Sequence, residues 1–356
     1  MVLHPKVKIS VTVLIWTLIY IFVVSTLFAA YRFYQEGQLS YQDIAKNKSY
    51  SLSNRETLEK NEHGFMWIEK EHFRTPSNPS SSTLGYIDIK SYPYIMNEPN
   101  KCKVKSPFLI FLIATIASEI ENREAIRKTF GNEFLKNGTS IMCLFLLGKS
   151  SLQDPNALLE ESKKYHDIIQ KDFQDTYKNL TYKILMGIEW VSNYCPTAKY
   201  VMKTDSDMFV NTERLLDLLG PDQPQKQNYF TGHLMLNQRP HRNRNSKWHM
   251  PHSLYPDEFY PSFCSGTGYV FSGDVAPKIL RSSLKVKYVY LEDVFVGICL
   301  DREGIKITHP PNSKLFNNFR VSFSPCVYNS IITSHYITPT DLINLWLIVQ
   351  ENKRAC

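Results

Sequence analysis

Asp205 and Asp207 stand one residue apart in YVMKTDSDMFVN (residues 200–211), where an apolar run ends. Two carboxylates this close repel, and burying both without partners is costly. A hard divalent cation resolves the conflict, and carboxylate oxygens suit Mg²⁺ or Mn²⁺. In extended chain, residues two apart point the same way. The spacing therefore predicts both carboxylates aimed at one spot, where a metal would bridge the protein to a diphosphate. A calcium loop is excluded, because it needs more oxygen ligands and a glycine at its sixth place. Met208, Phe209 and Val210 supply neither. An isolated Asp-X-Asp is commonly only a solvated turn. Here AKYVMKTD (198–205) reads as a central parallel strand, apolar on both faces. Open α/β sheets bind ligands at the carboxyl ends of such strands.

The elements needed to position that pair follow in order. FLIFLIAT (108–115) and IMCLFLLG (141–148) read as buried strands, and DIIQKDF (167–173) as a shorter one. Helical spacing marks NREAIRKTF (122–130), LLEESKKYH (158–166) and TYKNLTYKILMGIEWVSNY (176–194). In the last of these Leu180, Ile184, Leu185, Ile188 and Val191 share a face, and Trp190 fits the core side. Strands alternating with helices predict an α/β fold with a mostly parallel central sheet flanked by helices. The second half is less regular. YFTGHLML (229–236) reads as a strand, FCSGTGYVFSG (263–273) as a glycine-rich strand, and VYLEDVFVGICLDREG (289–304) as strand passing into helix. Between them NQRPHRNRNSKWHMP carries Arg239, Arg242, Arg244 and Lys247. It is either a solvated loop or a flap over an anionic or sugar ligand, with Trp248 able to stack on a sugar face.

Composition sets the frame. The 356 residues are 43% hydrophobic and 21% charged, which suits a globular core. A net charge of +7 does not argue for nucleic acid, and we expect no such partner. Residues 11–30, VTVLIWTLIYIFVVSTLFAA, carry no charge. At about 1.5 Å per residue they span a hydrocarbon core of roughly 30 Å. The basic leader before them predicts a cytosolic N-terminus; a cleaved signal peptide is the competing reading. The expected organisation is a leader (1–10), a single transmembrane signal-anchor (11–31), a polar luminal stem (32–100) whose later part, around Tyr92 to Cys102, docks on the domain, and a catalytic domain (101–356). Three sequons fit a luminal address: Asn47, Asn137 and Asn179. Seven dispersed cysteines without a CxxC pair argue against zinc and predict two or three disulfides with at least one free thiol.

Several segments, in order, carry a resemblance: ENREAIRKTFG (121–131), FLLG (145–148), DIIQKDFQDTYKNLTYK (167–183), KTDSDMFVN (203–211), YPSFCSGTGYVFS (260–272), YLEDVFVGICL (290–300) and ITSH (332–335). Residues 107–356 resemble the animal β-1,3-galactosyltransferase family, inverting nucleotide-sugar enzymes of the Golgi. One departure is Phe130, where the family usually has tryptophan; an aromatic remains, so packing should shift slightly and chemistry not at all.

The resemblance implies a GT-A fold, a Rossmann-like nucleotide half joined to an acceptor half. It implies transfer of galactose from UDP-galactose to the 3-hydroxyl of a terminal β-N-acetylglucosamine on a glycan acceptor, with Mn²⁺ and inversion, in a type II Golgi membrane protein. Relatives with an N-acetylglucosamine or N-acetylgalactosamine donor share nearly every motif, and an inactive sugar-binding relative is a further alternative. Asp293 is expected to be the catalytic base, with Glu292 positioning it or the acceptor. On residue type alone the Glu292–Asp293 pair reads equally as acids at a helix N-terminus. Arg123 and Arg127 match the first motif, and Arg123 is expected at uridine or diphosphate; a salt bridge to Glu121 or Glu124 is the alternative. Asp172 is expected to line the donor pocket and Lys183 to neutralise it or the phosphates, unless both are only structural. Asp207 is the expected metal carboxylate, His335 completes the metal shell, and Asp205 sits nearer the ribose or a metal-bound water. Gly266 and Gly268 are expected to let backbone approach the sugar.

Overall fold

A strand buried on both faces needs cover above and below, and the chain provides it with helices inserted between successive strands. The computed structural model describes residues 85–103, 106–133, 138–150 and 154–353. The expected leader, the anchor, most of the stem, Asn47 and Asn137 lie outside the described residues. Among those described, no helix is long and apolar enough to cross a membrane.

The first half runs β1 (Tyr94–Met96), β2 (Leu109–Ala114), α1 (Ile120–Lys128), β3 (Ile141–Lys149), α2 (Pro155–Tyr165), β4 (Ile168–Gln174), α3 (Leu180–Tyr194) and β5 (Tyr200–Asp205). Next come β6 (Phe209–Val210), α4 (Thr212–Leu219), β7 (Phe230–Met235), β8 (Phe263–Ser272), α5 (Val275–Ser283) and α6 (Glu292–Arg302). The chain closes with α7 (Pro325–Ser330), β9 (Thr333–Ser334) and α8 (Pro339–Glu351). Local chemistry sets several helix starts. Asp154 caps α2 with Pro155 behind it, Asn211 caps α4, and Thr338 caps α8 ahead of Pro339.

Seven strands form one sheet in the order β1-β4-β3-β2-β5-β8-β7. The four central strands, β4-β3-β2-β5, are parallel; β1 pairs antiparallel with β4, β8 with β5, and β7 with β8. Ala114 lies level with Asp205, and Thr204 with Gly268. The carboxyl end of β5 and the glycine-rich part of β8 therefore meet at one edge. One core lies between the sheet and α3, α5 and α6; the other lies on the opposite face, against α1 and α8.

Residues 85–100, counted with the stem on sequence, are built into the domain. Ile87 and Ile89 are buried, and β1 pairs with β4. Tyr94 donates to Glu189 (3.1 Å), which also holds buried Lys171 at 2.6 Å. A disulfide, Cys102–Cys195, then joins this segment to the end of α3. Cys326 is disulfide-bonded as well, and Cys143, Cys264 and Cys299 are free and buried. The strand expected ahead of α6 does not form. Val289 and Leu291 are buried, but the Val289 carbonyl accepts from Thr181 Oγ1 (2.7 Å) rather than from a neighbouring strand.

Candidate active site

β5 ends at Asp205, and the chain turns at Ser206–Asp207 rather than staying extended. This corrects the expectation of extended backbone between the two carboxylates, both of which act on His335. The turn is fixed from α1 and the residues before it. Ser206 Oγ donates to Glu119 Oε2 (2.7 Å), Asn122 donates to the Ser206 carbonyl (3.2 Å), and Ser206 N–H donates to the Ala114 carbonyl (3.2 Å). Asp205 then faces Lys203 at 2.7 Å, and Asp207 faces His335, Oδ2 to Nε2, at 3.2 Å. Both carboxylates keep 29% of their side-chain surface open.

Lys203 is the residue the sequence reading missed. It is buried in the middle of the sheet at 1% exposure. Its ammonium meets Asp205, lies 2.8 Å from Glu292 Oε1 and donates to the Gly266 carbonyl. Burial alone would lower its pKa; the fields of Asp205 and Glu292 outweigh that and raise it. Glu292 lies behind this ammonium and accepts from Tyr269 Oη (3.1 Å). Burial pushes its carboxyl from 4.5 to about 7, with Lys203 pulling down and Asp293 pushing up. A lysine inside an otherwise apolar strand was the available signal, since lysine is almost never fully buried unless paired.

Asp293 lies in the first turn of α6, half-buried. Its Oδ1 accepts from Val294 N–H (2.9 Å) and its Oδ2 from Gly266 N–H (3.1 Å). Burial raises its pKa, and those two N–H bonds oppose the rise. Tyr177 fronts the same group: burial first, then Asp293, Asp205 and Glu292, hold its phenol protonated. The site thus has one half-buried carboxylate whose pKa burial raises, beside the partly exposed Asp207–His335 pair. Such a carboxylate can accept a proton from an alcohol.

Gly266 and Gly268 lie against protein side chains. A Cβ on Gly266 would sit 2.5 Å from Glu292 Oε1, and one on Gly268 would sit 3.3 Å from Thr333 Cγ2. The glycines admit protein side chains. Gly266→Ala is therefore expected to displace Glu292 and lower stability by about 1–3 kcal/mol, as overpacked sites do. Thermal melts check this, and an unchanged Tm with unchanged activity counts against it.

Arg123, Arg127 and Lys183 are paired with carboxylates of the fold. Arg123 is fully buried; its Nε and Nη2 reach Glu161 at 2.8 and 2.7 Å, and its Nη1 and Nη2 donate to the carbonyls of Ile116 and Ala117. Its partner is Glu161 on α2, neither Glu121 nor Glu124, and no nitrogen is left for a diphosphate. Arg127 pairs with Asp167 and Glu161, each at 2.8 Å. Lys183 Nζ bonds Asp175 (2.7 Å) and the Thr115 carbonyl (2.6 Å). It neutralises Asp175, not Asp172, which stands exposed 3.2 Å from Lys149. Asn179 hydrogen-bonds the Gln174 carbonyl through Nδ2 (2.8 Å). Trp190 is buried, and Trp248 is exposed beside His241. In the basic loop Arg242 donates to the carbonyls of Met250, Tyr255 and Asp257, stapling the segment.

Among the described residues no three His, Cys, Asp or Glu side chains gather as a ready metal site. Asp207 and His335 still fit a hard divalent ion. His335 Nδ1 lies 3.2 Å from the Asn318 carbonyl. A proton on Nδ1 leaves the Nε2 lone pair toward Asp207. Sites completed by substrate phosphates commonly use only one or two protein carboxylates.

Residues 121–311 match a family model described as galactosyltransferase, and residues 38–110 match one described as the N-terminus of β-1,3-galactosyltransferase 2. β-1,3-Galactosyltransferase 2 of Pongo abelii is 56% identical over 277 residues, 76% of this chain and 66%, just under two thirds, of that protein. β-1,3-Galactosyltransferase 1 of Mus musculus is 48% identical over 269 residues, 75% of this chain and 81% of that protein. Among solved structures, a Drosophila β-1,4-galactosyltransferase 7 in complex with manganese, UDP-Gal and xylobiose is 14% identical. Its TM-score is 0.34, covering 65% of this chain and 72% of that one, too remote to carry an argument.

Proposed function

The chain belongs to the β-1,3-galactosyltransferase family, and from that membership we propose that it transfers galactose from UDP-galactose to the 3-hydroxyl of a terminal β-N-acetylglucosamine, with inversion. The observation that carries this reading is the carboxylate of Asp293, half-buried at the first turn of α6 and oriented by two backbone N–H groups. It takes the proton of the acceptor hydroxyl. The acceptor oxygen bonds the anomeric carbon as the bond to the diphosphate breaks on the opposite face, and UDP leaves. Lys203 keeps Asp205 and Glu292 in place during this step.

Asp207 and His335 would hold the divalent ion, proposed as Mn²⁺; when bound, it supplies Lewis-acid stabilisation of the leaving diphosphate. We also propose a GT-A fold, which the parallel centre of the sheet supports, and a type II anchor in the Golgi, which the uncharged segment 11–30 supports.

The full chain, produced in a secretory host, should be assayed with UDP-galactose, UDP-N-acetylglucosamine and UDP-N-acetylgalactosamine on a β-N-acetylglucosamine acceptor, with Mn²⁺ and with chelator. We expect a galactose product linked 1→3 by NMR, and only with metal. Equal turnover in chelator, or a faster N-acetylhexosamine donor, overturns the corresponding part. Asp207→Ala should weaken metal-dependent UDP binding by at least ~10-fold in calorimetry; unchanged affinity removes Asp207 from the metal.

A further inference from the structure

Tyr336 carries a positive φ of 58°, a conformation that is a genuine outlier for a bulky side chain. Among the described residues three other non-glycine residues share that sign. Two are asparagines, which tolerate it, and His166 ends α2 as its left-handed cap. Tyr336 is neither. It lies between β9 and α8 with its ring half exposed.

The turn sets two contacts on Asp207. His335 Nε2 reaches its carboxylate at 3.2 Å, and Ile337 N–H donates to its carbonyl at 2.9 Å. Consecutive side chains in extended chain point to opposite faces. At this turn the rings of His335 and Tyr336 instead lie face to face, centroids 3.9 Å apart and 20° from parallel. Arg320 fixes the turn from outside, donating to the Tyr336 carbonyl (2.8 Å) and to Asp341 of α8 (2.9 Å). Glycine would make the same turn freely. What tyrosine adds is the ring, and the ring lies on His335.

The geometry points to Tyr336 as a positioning residue for transfer: its stacked ring fixes the plane of His335, so that Nε2 faces Asp207, at the expense of a strained backbone. Asn318 holds the other imidazole nitrogen, so tautomer and plane are set by separate contacts. This rests on the reading of His335 given above. Strain held beside a working site is a recurrent association, and here it joins a ring contact to a candidate ligand.

Four variants of the full chain test this: Tyr336→Phe, Tyr336→Gly, His335→Ala and the double variant His335→Ala/Tyr336→Gly. Tyr336→Phe keeps the ring and should transfer at close to the wild-type rate. Tyr336→Gly should lose about tenfold in kcat and need about tenfold more Mn²⁺ for half-maximal thermal stabilisation in the presence of UDP, the scale seen when a partner of a metal ligand is removed. Its Tm without metal should be equal or higher, because the strain is relieved. On the His335→Ala background the glycine change should add nothing, since both act through one ring. Asparagine, which accepts this φ, replaces glycine if that variant folds poorly. A wild-type rate and Mn²⁺ dependence for Tyr336→Gly overturn the inference, as does a rate loss matched by a fall in Tm, or additivity in the double variant. If His335→Ala itself is fully active, the metal reading of His335 falls and Tyr336's role with it. If His335→Ala is impaired and Tyr336→Gly is not, only the role of Tyr336 falls.

Discussion

Replacing Asp293 by asparagine is expected to cut transfer by about 10²–10⁴-fold, the range a positioned general base supplies, while UDP binding survives. The side chain keeps its shape, and its amide oxygen can still accept from a backbone N–H at Val294 or Gly266. What disappears is the proton acceptor. The pH dependence follows from the direction of the shift. Burial raises the folded pKa of Asp293, so the acid limb of the wild-type rate should lie above the ordinary aspartate range of about 3.9. The rate falls as pH drops through that raised value. The same shift works the other way on stability. A raised carboxyl favours the fold below its unfolded pKa, and that contribution is lost as pH rises through the folded one. The asparagine variant should then melt no lower than the wild type at neutral pH, which separates lost chemistry from lost folding. Initial rates, calorimetry with UDP and thermal melts read all three. Transfer above a tenth of wild type would send the search for the base elsewhere.

Legibility in the sequence tracked how locally each feature is determined. β2, β3 and β5 were readable because every residue in them up to the exposed ends is apolar or paired inside the sheet. The position of Asp205 was readable because a buried strand stops there. The direction of Asp207 was not, because a turn at Ser206 is imposed by Glu119 and Asn122, more than eighty residues upstream. Arg123 shows the same limit: its fork is matched by Glu161, thirty-eight residues away on another helix, where the sequence suggested the nearby Glu121 or Glu124. The antiparallel setting of β8 beside β5 was not visible either, since a glycine-rich apolar run looks the same in both directions. Docking of the segment around β1 was expected, but not its strand form, since three residues carry no period and owe their pairing to β4 and to the Tyr94–Glu189 bond. Lys203 was legible only as an anomaly, because beyond Asp205 its partners, Glu292 and the Gly266 carbonyl, come from α6 and β8.

Those partners make Lys203→Met the other large expected effect. The methionine side chain fills similar space but leaves Glu292 buried at 4% exposure without its counter-charge. Asp205, more open, can turn to water. Removing one partner of a buried pair typically costs about 3–5 kcal/mol, because the remaining charge is stranded. Transfer should fall with it, since Gly266, whose amide orients Asp293, also loses the ammonium that its carbonyl holds. The loss should depend on pH in a defined sense. Burial already lifts Glu292 to about 7, and Lys203 is what pulls it down. Without Lys203 the carboxyl rises further, takes up a proton and becomes tolerable, so the variant should be much less destabilised near about pH 5.5 than near about pH 8. Adding Glu292→Gln to Lys203→Met removes the stranded charge and should restore part of the lost Tm at the higher pH, without restoring transfer. If Lys203→Met melts and turns over like the wild type at both pH values, the ammonium does not join the Asp205 side of the site to the Asp293 side, and the two must be held by separate means.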